Sequence, residues 1–370
     1  MVVDVQYTHI FSQDFSLIIV ALSYNQPKLN ATDIWCENGI TFASYSTIGI
    51  YSYGIYIDKN NTIYIPNQAN GKIVVWSEGS VMPTKTISGN WGNSHSIFVT
   101  NSGVFYIDDG RGNQYVKQWE SNGTVSNSVL FSITGCFSLF VDIENNLYCS
   151  LTHHHQVTKK FLSNNSNIWS VVAGSECYGS TSTLLYFPRG IFVDINLNLY
   201  IADRANNRIQ KFLPNQTNGL TVAGYGASGT ISLNYPYAVI LDADGYLFIV
   251  DNGNNRVIGS GPYGFRCIIA CSSTAGSSST QLKDPMLMNF DSYGNLYIAD
   301  KGNTRMQKFL RQQDNNCSKL FSYVIYIINF SYSTINNYNL NINCVIDIVN
   351  SSFRYLLGFF FFFKIYSYIF

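Results

Sequence analysis

The stretch Gly190–Phe212, GIFVDINLNLYIADRANNRIQKF, returns nearly intact at Leu287–Phe309 as LMNFDSYGNLYIADKGNTRMQKF. Fainter copies begin at Gly54 (GIYIDKNNTIYIPNQANGKIVVW), Ser96 (SIFVTNSGVFYIDDGRGNQYVKQW), Ser138 (SLFVDIENNLYCSLTHHHQVTKKF) and Ala238 (AVILDADGYLFIVDNGNNRVIGS). Repetition at this length belongs to stacked or ring-shaped architectures, because one unit cannot bury its own apolar face. The second turn of the six copies starts at Asn67, Asp109, Leu151, Asp203, Asp251 and Asp300, at intervals of 42, 42, 52, 48 and 49 residues.

Each copy reads as four short strands. In the copy starting at Gly190, the apolar run Ile191–Val193 leads into Asp194–Asn198, rich in the Asp and Asn that tolerate turns. A second run, Leu199–Ala202, is followed by the polar turn Asp203–Asn207. Arg208–Phe212 then alternates polar and apolar with the period of a strand that has one covered face. Leu220–Ala223 makes a fourth run ending on Gly224. Four strands per repeat describe one blade of a β-propeller, and no segment carries the 3.6-residue period that a helical solenoid needs.

The pattern resembles the NHL repeat family, whose members form six-bladed propellers. The resemblance is carried by Asp194 with Asp203, the run Leu199–Asp203, Asn207-Arg208 and Val222-Ala223-Gly224, and it covers roughly Asn38 to Cys317. It is strongest in the last three copies and weakest in the third, where Leu151 replaces the second acidic residue. Arg208, Arg256 and Arg305 each follow Asp203, Asp251 and Asp300 by five positions across a turn, which predicts structural Asp–Arg contacts. The expected fold is all-β: a six-bladed NHL-type propeller over 36–317, after an N-terminal extension, 1–35.

The last repeat stops at Cys317, where its fourth strand should begin. Gly39–Gly49 (GITFASYSTIG) aligns with the fourth-strand segment Leu220–Gly229 (LTVAGYGASG), so the N-terminal segment is expected to complete blade six and leave no open sheet edge. Cys36 and Cys317 would then meet at one hairpin, and Cys136 with Cys149 flank the first hairpin of blade three. Cys267 and Cys271 are four apart; on a continuous strand their Cα atoms would be about 13 Å apart, too far to bond unless the strand breaks. Cys177 has no obvious partner.

These cysteines and the sequons at Asn30, Asn60, Asn122, Asn164 and Asn215 point to an extracellular glycoprotein. Phe15–Leu22 (FSLIIVAL) resembles the apolar core of a secretory signal, but Asp4 and Asp14 stand where basic residues belong, which favours a true N-terminus lying upstream. Twenty-two basic and 22 acidic residues cancel, with no Lys/Arg cluster, which argues against nucleic-acid binding. The tail 318–370 changes composition sharply, ending YLLGFFFFFKIYSYIF. It is read as translated non-coding sequence. The alternative of a membrane anchor is disfavoured, because the stretch after Arg354 carries Lys364 and falls short of the roughly 20 residues that span a bilayer.

Propeller ligand sites lie at one channel end, so Tyr53, His95, Phe137, Arg189, Tyr237 and Met286, each just before an innermost strand, form the candidate rim. These residues either bind a protein, peptide or glycan ligand or plug the channel. The resemblance also includes peptidyl-hydroxyglycine lyase, which holds zinc through three histidines. Here the histidines are His9, His95 and the run His153–His155, and three consecutive residues cannot all face one ion, so the run is read as a solvated turn. Asp58, Asp142, Asp194, Asp242 and Asp291 recur at the opposite end and are read as a requirement of that turn. A metal-dependent lyase or hydrolase is the alternative function. A third is a substrate-recruiting scaffold like the NHL ubiquitin ligases, without their paired Cys-x-x-Cys RING. The expectation is a monomeric, non-catalytic binding or adhesion module with no cofactor, no metal and no membrane association.

Overall fold

The computed structural model describes residues 8–11, 17–20, 22–30, 32–50, 52–89, 94–108, 115–120, 125–131, 135–162 and 168–312. Asp109, Asn122, Asn164, Cys317 and the tail lie outside the described residues. Six four-stranded antiparallel sheets follow one another around a ring. The first five are built in chain order, the fourth from Pro188–Val193, Leu199–Asp203, Arg208–Phe212 and Leu220–Gly224. The sixth takes Pro285–Phe290, Leu296–Asp300 and Arg305–Phe309 and borrows its outermost strand, Ile40–Ser44, from the N-terminal side. The borrowed register runs Arg305 opposite Ser44, Met306 opposite Ala43 and Lys308 opposite Ile40. Leu17–Val20, within the apolar segment that resembles a signal core, pairs as a strand with Thr8–Phe11.

Local chemistry explains the strand ends. The first turn of the third, fourth, fifth and sixth blades closes on a residue with positive φ, namely Asn145, Leu197, Gly245 and Gly294. Leucine is the exception, since a left-handed residue with a Cβ costs about 1 kcal/mol or more. The Gly224 that ends the fourth blade also has positive φ (86°), and a Cβ there would meet the Asn207 carbonyl oxygen at 2.3 Å. The glycine is therefore demanded twice, by backbone conformation and by space.

In blades four, five and six the acidic residue that starts the second turn works with the arginine five positions on. Arg208 Nε donates to Asp203 at 2.7 Å, Arg256 to Asp251 at 2.8 Å and Arg305 to Asp300 at 2.6 Å. The guanidinium reaches further, into the loop leading to the same blade's innermost strand. Arg208 donates to the carbonyls of Ser180, Thr181 and Leu184, and Arg305 to those of Ser277, Ser278 and Gln281. The same aspartates accept the backbone N–H of Tyr186, Asn234 and Lys283. One ion pair thus ties a turn to the loop between blades.

Tyr24 and Asn25, placed in the extension by the sequence, seal one end of the channel. Tyr24 packs against Phe98, Phe140 and Phe192, with ring centroids 6.5, 5.1 and 5.4 Å away. Its hydroxyl donates to the Val193 carbonyl, and Asn25 donates to the carbonyls of Asp58 and Phe290. Trp35 Nε1 donates to the Gly294 carbonyl at 2.9 Å. The channel behind this plug keeps a cavity of about 60 Å³, room for a few waters and no larger ligand.

Cys136 and Cys149 are bridged, with Cα atoms 5.3 Å apart. Cys267 and Cys271 are also bridged, at 5.7 Å. Cys267 lies within the strand Gly264–Ile269, which ends before Cys271, and Ala270 takes a left-handed backbone (φ 53°) that turns the chain back. Cys177 is exposed and unbridged. The Cys36–Cys317 pairing lies outside the described residues. Gln312 N–H donates to the Ile34 carbonyl and Cys36 N–H to that of Leu310, so Leu310–Gln312 runs antiparallel beside Ile34–Cys36.

Two outcomes are expected. Non-reducing peptide mapping should recover Cys36 joined to Cys317. Arg208→Ala should destabilise the fold by about 3 kcal/mol in urea unfolding, because it strands the buried Asp203 charge; Arg256→Ala should cost less, since Arg256 is 17% exposed where Arg208 is 6%.

Candidate binding face

The six rim residues meet at the channel end opposite Tyr24. Tyr53 stacks on His95 (centroids 5.6 Å, planes 16° apart), and His95 lies 4.4 Å from the Phe137 ring. The Arg189 guanidinium sits 3.9 Å over Phe137 and 5.3 Å from the Tyr237 ring. Lys301 Nζ lies 5.7 Å from the Tyr53 ring. Cation–ring contacts of this kind contribute about 0.5–2 kcal/mol each. Phe137, His95, Tyr237 and Met286 are at most 9% exposed, so they fill the mouth with their own side chains.

Electrostatics tighten this closure. His95 Nδ1 lies 3.3 Å from Asp108, whose carboxylate also accepts the Cys136 N–H. Asp108 is fully buried, and sequence reading missed it because it stands beside Asp109, which occupies the repeating acidic position. Burial raises the Tyr237 hydroxyl, against the pull of the Arg189 and Arg204 charges. Burial also works to raise Asp284, but the Lys301 ammonium at 2.5 Å and the Asn252 amide outweigh it and hold the carboxyl below its ordinary range.

The face around the rim rests on a feature that recurs in three consecutive blade junctions. Phe187, Tyr235 and Asp284, each two residues before a rim residue, have φ of 51°, 49° and 48°. Their N–H groups donate to His155 Nδ1, Asn207 Oδ1 and Asn255 Oδ1 of the preceding blade. His155 therefore does the work of an asparagine. It is 8% exposed, which corrects the solvated-turn reading for this member of the run, while His153 stays exposed on the turn. Its ring contacts Tyr178, Tyr186 and Phe187, and Tyr178 stacks on Tyr186 at 4.6 Å while remaining 63% exposed. Arg204 lies 4.7 Å over Tyr235, which is 44% exposed.

The histidines do not converge. Phe137 stands between His95 and His153, its ring 4.4 and 5.8 Å from theirs, while the His155 ring faces Phe187. Among the described residues no three His, Cys, Asp or Glu side chains gather as a metal set. The recurring Asp58, Asp142, Asp194, Asp242 and Asp291 instead each accept the N–H groups two and four residues on, closing their own turns.

A family model for the NHL repeat matches residues 185–212. Comparison with curated proteins finds no match in sequence. Among solved structures, a structural-genomics protein of unknown function from Bacteroides thetaiotaomicron VPI-5482 is similar, with TM-score 0.59 and 16% identity over 74% of this chain and 76% of that one. A streptogramin B lyase superposes with TM-score 0.54 and 13% identity over 77% of this chain and all of that one. An auxiliary nutrient binding protein, also from Bacteroides thetaiotaomicron VPI-5482, gives 0.57 and 12% over 79% and 76%. At such identities the likeness is one of fold, and the class is the six-bladed β-propeller. Within that class, this chain is an NHL repeat-containing propeller closed by its own N-terminal strand.

Burial, and then the neighbouring His153 and His154, hold the His155 imidazole below its ordinary 6.5. The folded state thus binds this proton less readily than the unfolded chain, so stability falls as pH drops through 6.5. His155→Asn supplies the acceptor that Asn207 and Asn255 supply elsewhere. It should keep stability at pH 7 and remove this part of the acid sensitivity, as followed by thermal melts between pH 5 and 8.

Proposed function

We propose that this propeller is a non-catalytic protein-interaction module that engages its partner through the loop face of blades three to six, outside the cell. The carrying observation is the three successive junctions that hold Phe187, Tyr235 and Asp284 in left-handed backbone beside a filled channel mouth. A non-glycine residue in that region costs on the order of 1–3 kcal/mol, and such strain gathers at functional sites. With Tyr178, Arg204 and Lys301 these residues form an aromatic and cationic surface, the composition that dominates binding hot spots. A filled mouth favours surface recognition over enclosed chemistry.

The location rests on the two disulfides and on the exposure of the sequon residues Asn30, Asn60 and Asn215. Among the described residues no helix is long and apolar enough to cross a membrane. The runner-up, a lyase or hydrolase acting at the mouth, draws on the buried His95–Asp108 pair.

Screening the purified chain against defined peptide and glycan arrays separates the two readings. Peptide ligands should bind, and Tyr178→Ala and Arg204→Ala should each weaken them at least tenfold, while Tyr293→Ala at the opposite end changes nothing. Stoichiometric zinc or calcium in the purified protein, with turnover of a bound ligand that His95→Ala abolishes, would instead establish the enzyme.

A further inference from the structure

Blade five departs from its neighbours at the end sealed by the N-terminal segment. In blade three, the outer oxygen Oδ2 of Asp142 accepts Asn146 Nδ2 at 2.8 Å and the Tyr148 hydroxyl at 3.0 Å. In blade four, Asp194 Oδ2 accepts Asn198 and the Tyr200 hydroxyl, and in blade six Asp291 Oδ2 accepts Asn295 and faces Lys308 Nζ at 3.5 Å. A lysine stands over each of these tyrosines: Lys159 over Tyr148, Lys211 over Tyr200 and Lys308 over Tyr297, at 5.9, 5.3 and 4.9 Å. Register identifies the counterparts in blade five. Phe248 takes the tyrosine's place, and the residue paired with it is Gly259, where blades three, four and six carry the lysine. Tyr246 replaces the asparagine.

Asp242 is left with half its carboxylate unanswered. Oδ1 accepts the N–H groups of Asp244 and Tyr246, but Oδ2 has no hydrogen-bond partner among the described residues, although the residue is only 1% exposed. A cavity of about 180 Å³ opens at this point, lined by Asp242, Tyr246, Phe248 and Gly259 and covered by Trp35. Of the other charges nearby, Asp33 pairs with Arg311 and the exposed Asp244 faces Lys28 at 3.8 Å, while Arg266, also on the cavity wall, donates to the Asp33 carbonyl.

We propose that this cavity is a binding site for an alkylammonium group. The ligand takes the place of the lysine that blade five lacks: its ammonium meets Asp242 Oδ2, and its methylenes lie against Phe248 and Trp35, whose rings stand 5.7 Å apart. The chemistry is that of blade six, where the Lys308 ammonium lies between the Asp291 carboxylate and the Tyr297 ring. A buried carboxylate without a partner is costly, and a cation offsets that cost. Burial already pushes the Asp242 carboxyl up to about 6, the direction expected of a charge without an answering cation. This site lies at the end opposite the proposed interaction face and stands whether or not that face binds a protein.

The test is titration of the full chain with n-butylammonium, n-butanol and a blocked Gly-Lys-Gly peptide, followed by Trp35 fluorescence and calorimetry. Saturable binding of n-butylammonium is expected, with n-butanol at least tenfold weaker. Peptide binding as well would assign the source to a lysine side chain, and its failure would assign it to a free amine. Asp242→Asn keeps the two turn hydrogen bonds and should weaken the amine at least tenfold while raising the melting temperature. Gly259→Lys should fill the cavity from within, abolish binding and raise the melting temperature. Its Cβ needs a shift of only a few tenths of an ångström, from 3.2 Å off Ile268. No saturable amine binding, or equal binding by Asp242→Asn, overturns the proposal.

Discussion

Ring closure governs everything else in this molecule. Each blade buries its faces against two neighbours, so an open ring would expose two apolar faces and one unpaired sheet edge. The pairing of Ile40–Ser44 with Arg305–Phe309 removes that edge and joins segments more than 250 residues apart in sequence. Joining them is costly in loop entropy, but the cost grows only with the logarithm of the distance, and a completed ring returns six interfaces for one closure. The chain preceding the same strand places Tyr24 and Asn25 at the channel end, so closing the ring and sealing the channel involve one segment.

A second level of order ties the blades at the other end. In blades four to six the Asp–Arg pairs fasten the second turn to the loop entering the same blade, and the acceptors His155, Asn207 and Asn255 fasten the next loop to the turn behind it. The two devices alternate from blade three to blade six and hold the interblade loops there. A loop face supported in this way is preorganised. A partner that binds it does not have to order it, and more of the contact energy remains as affinity.

The acidic turns at the sealed end show how a repeat can be structurally uniform and still locally distinct. Asp142 and Asp194 are answered by their own blade's Asn and Tyr, and Asp291 by its Asn and Lys. Asp242 keeps the turn-closing role but not the outer partners, because Tyr246, Phe248 and Gly259 replace them. A turn aspartate shared by five of the six blades thus leaves a chemical gap in one.

Much was legible in the sequence because it is local or periodic. The six copies, the four-strand blade, the borrowed strand and the rim positions follow from alternation, turn chemistry and spacing, which each repeat encodes within its own 42 to 52 residues. The Asp–Arg pairs were legible for the same reason, since five residues across a turn leave little choice of geometry. Other features escaped because they depend on residues brought together from distant blades. Tyr24 finds Val193, 169 residues away, and fills a channel the sequence left undecided. His155, read as solvated, is buried because the loop of the next blade closes over it. The Cys267–Cys271 bridge depended on a strand break at Ala270 that no local pattern announced. Blade identity and ring closure were therefore written in the chain; which channel end is sealed, which histidine is buried and which carboxylate lacks a partner were decided by packing between blades, where the contacts link residues too far apart for periodicity to register.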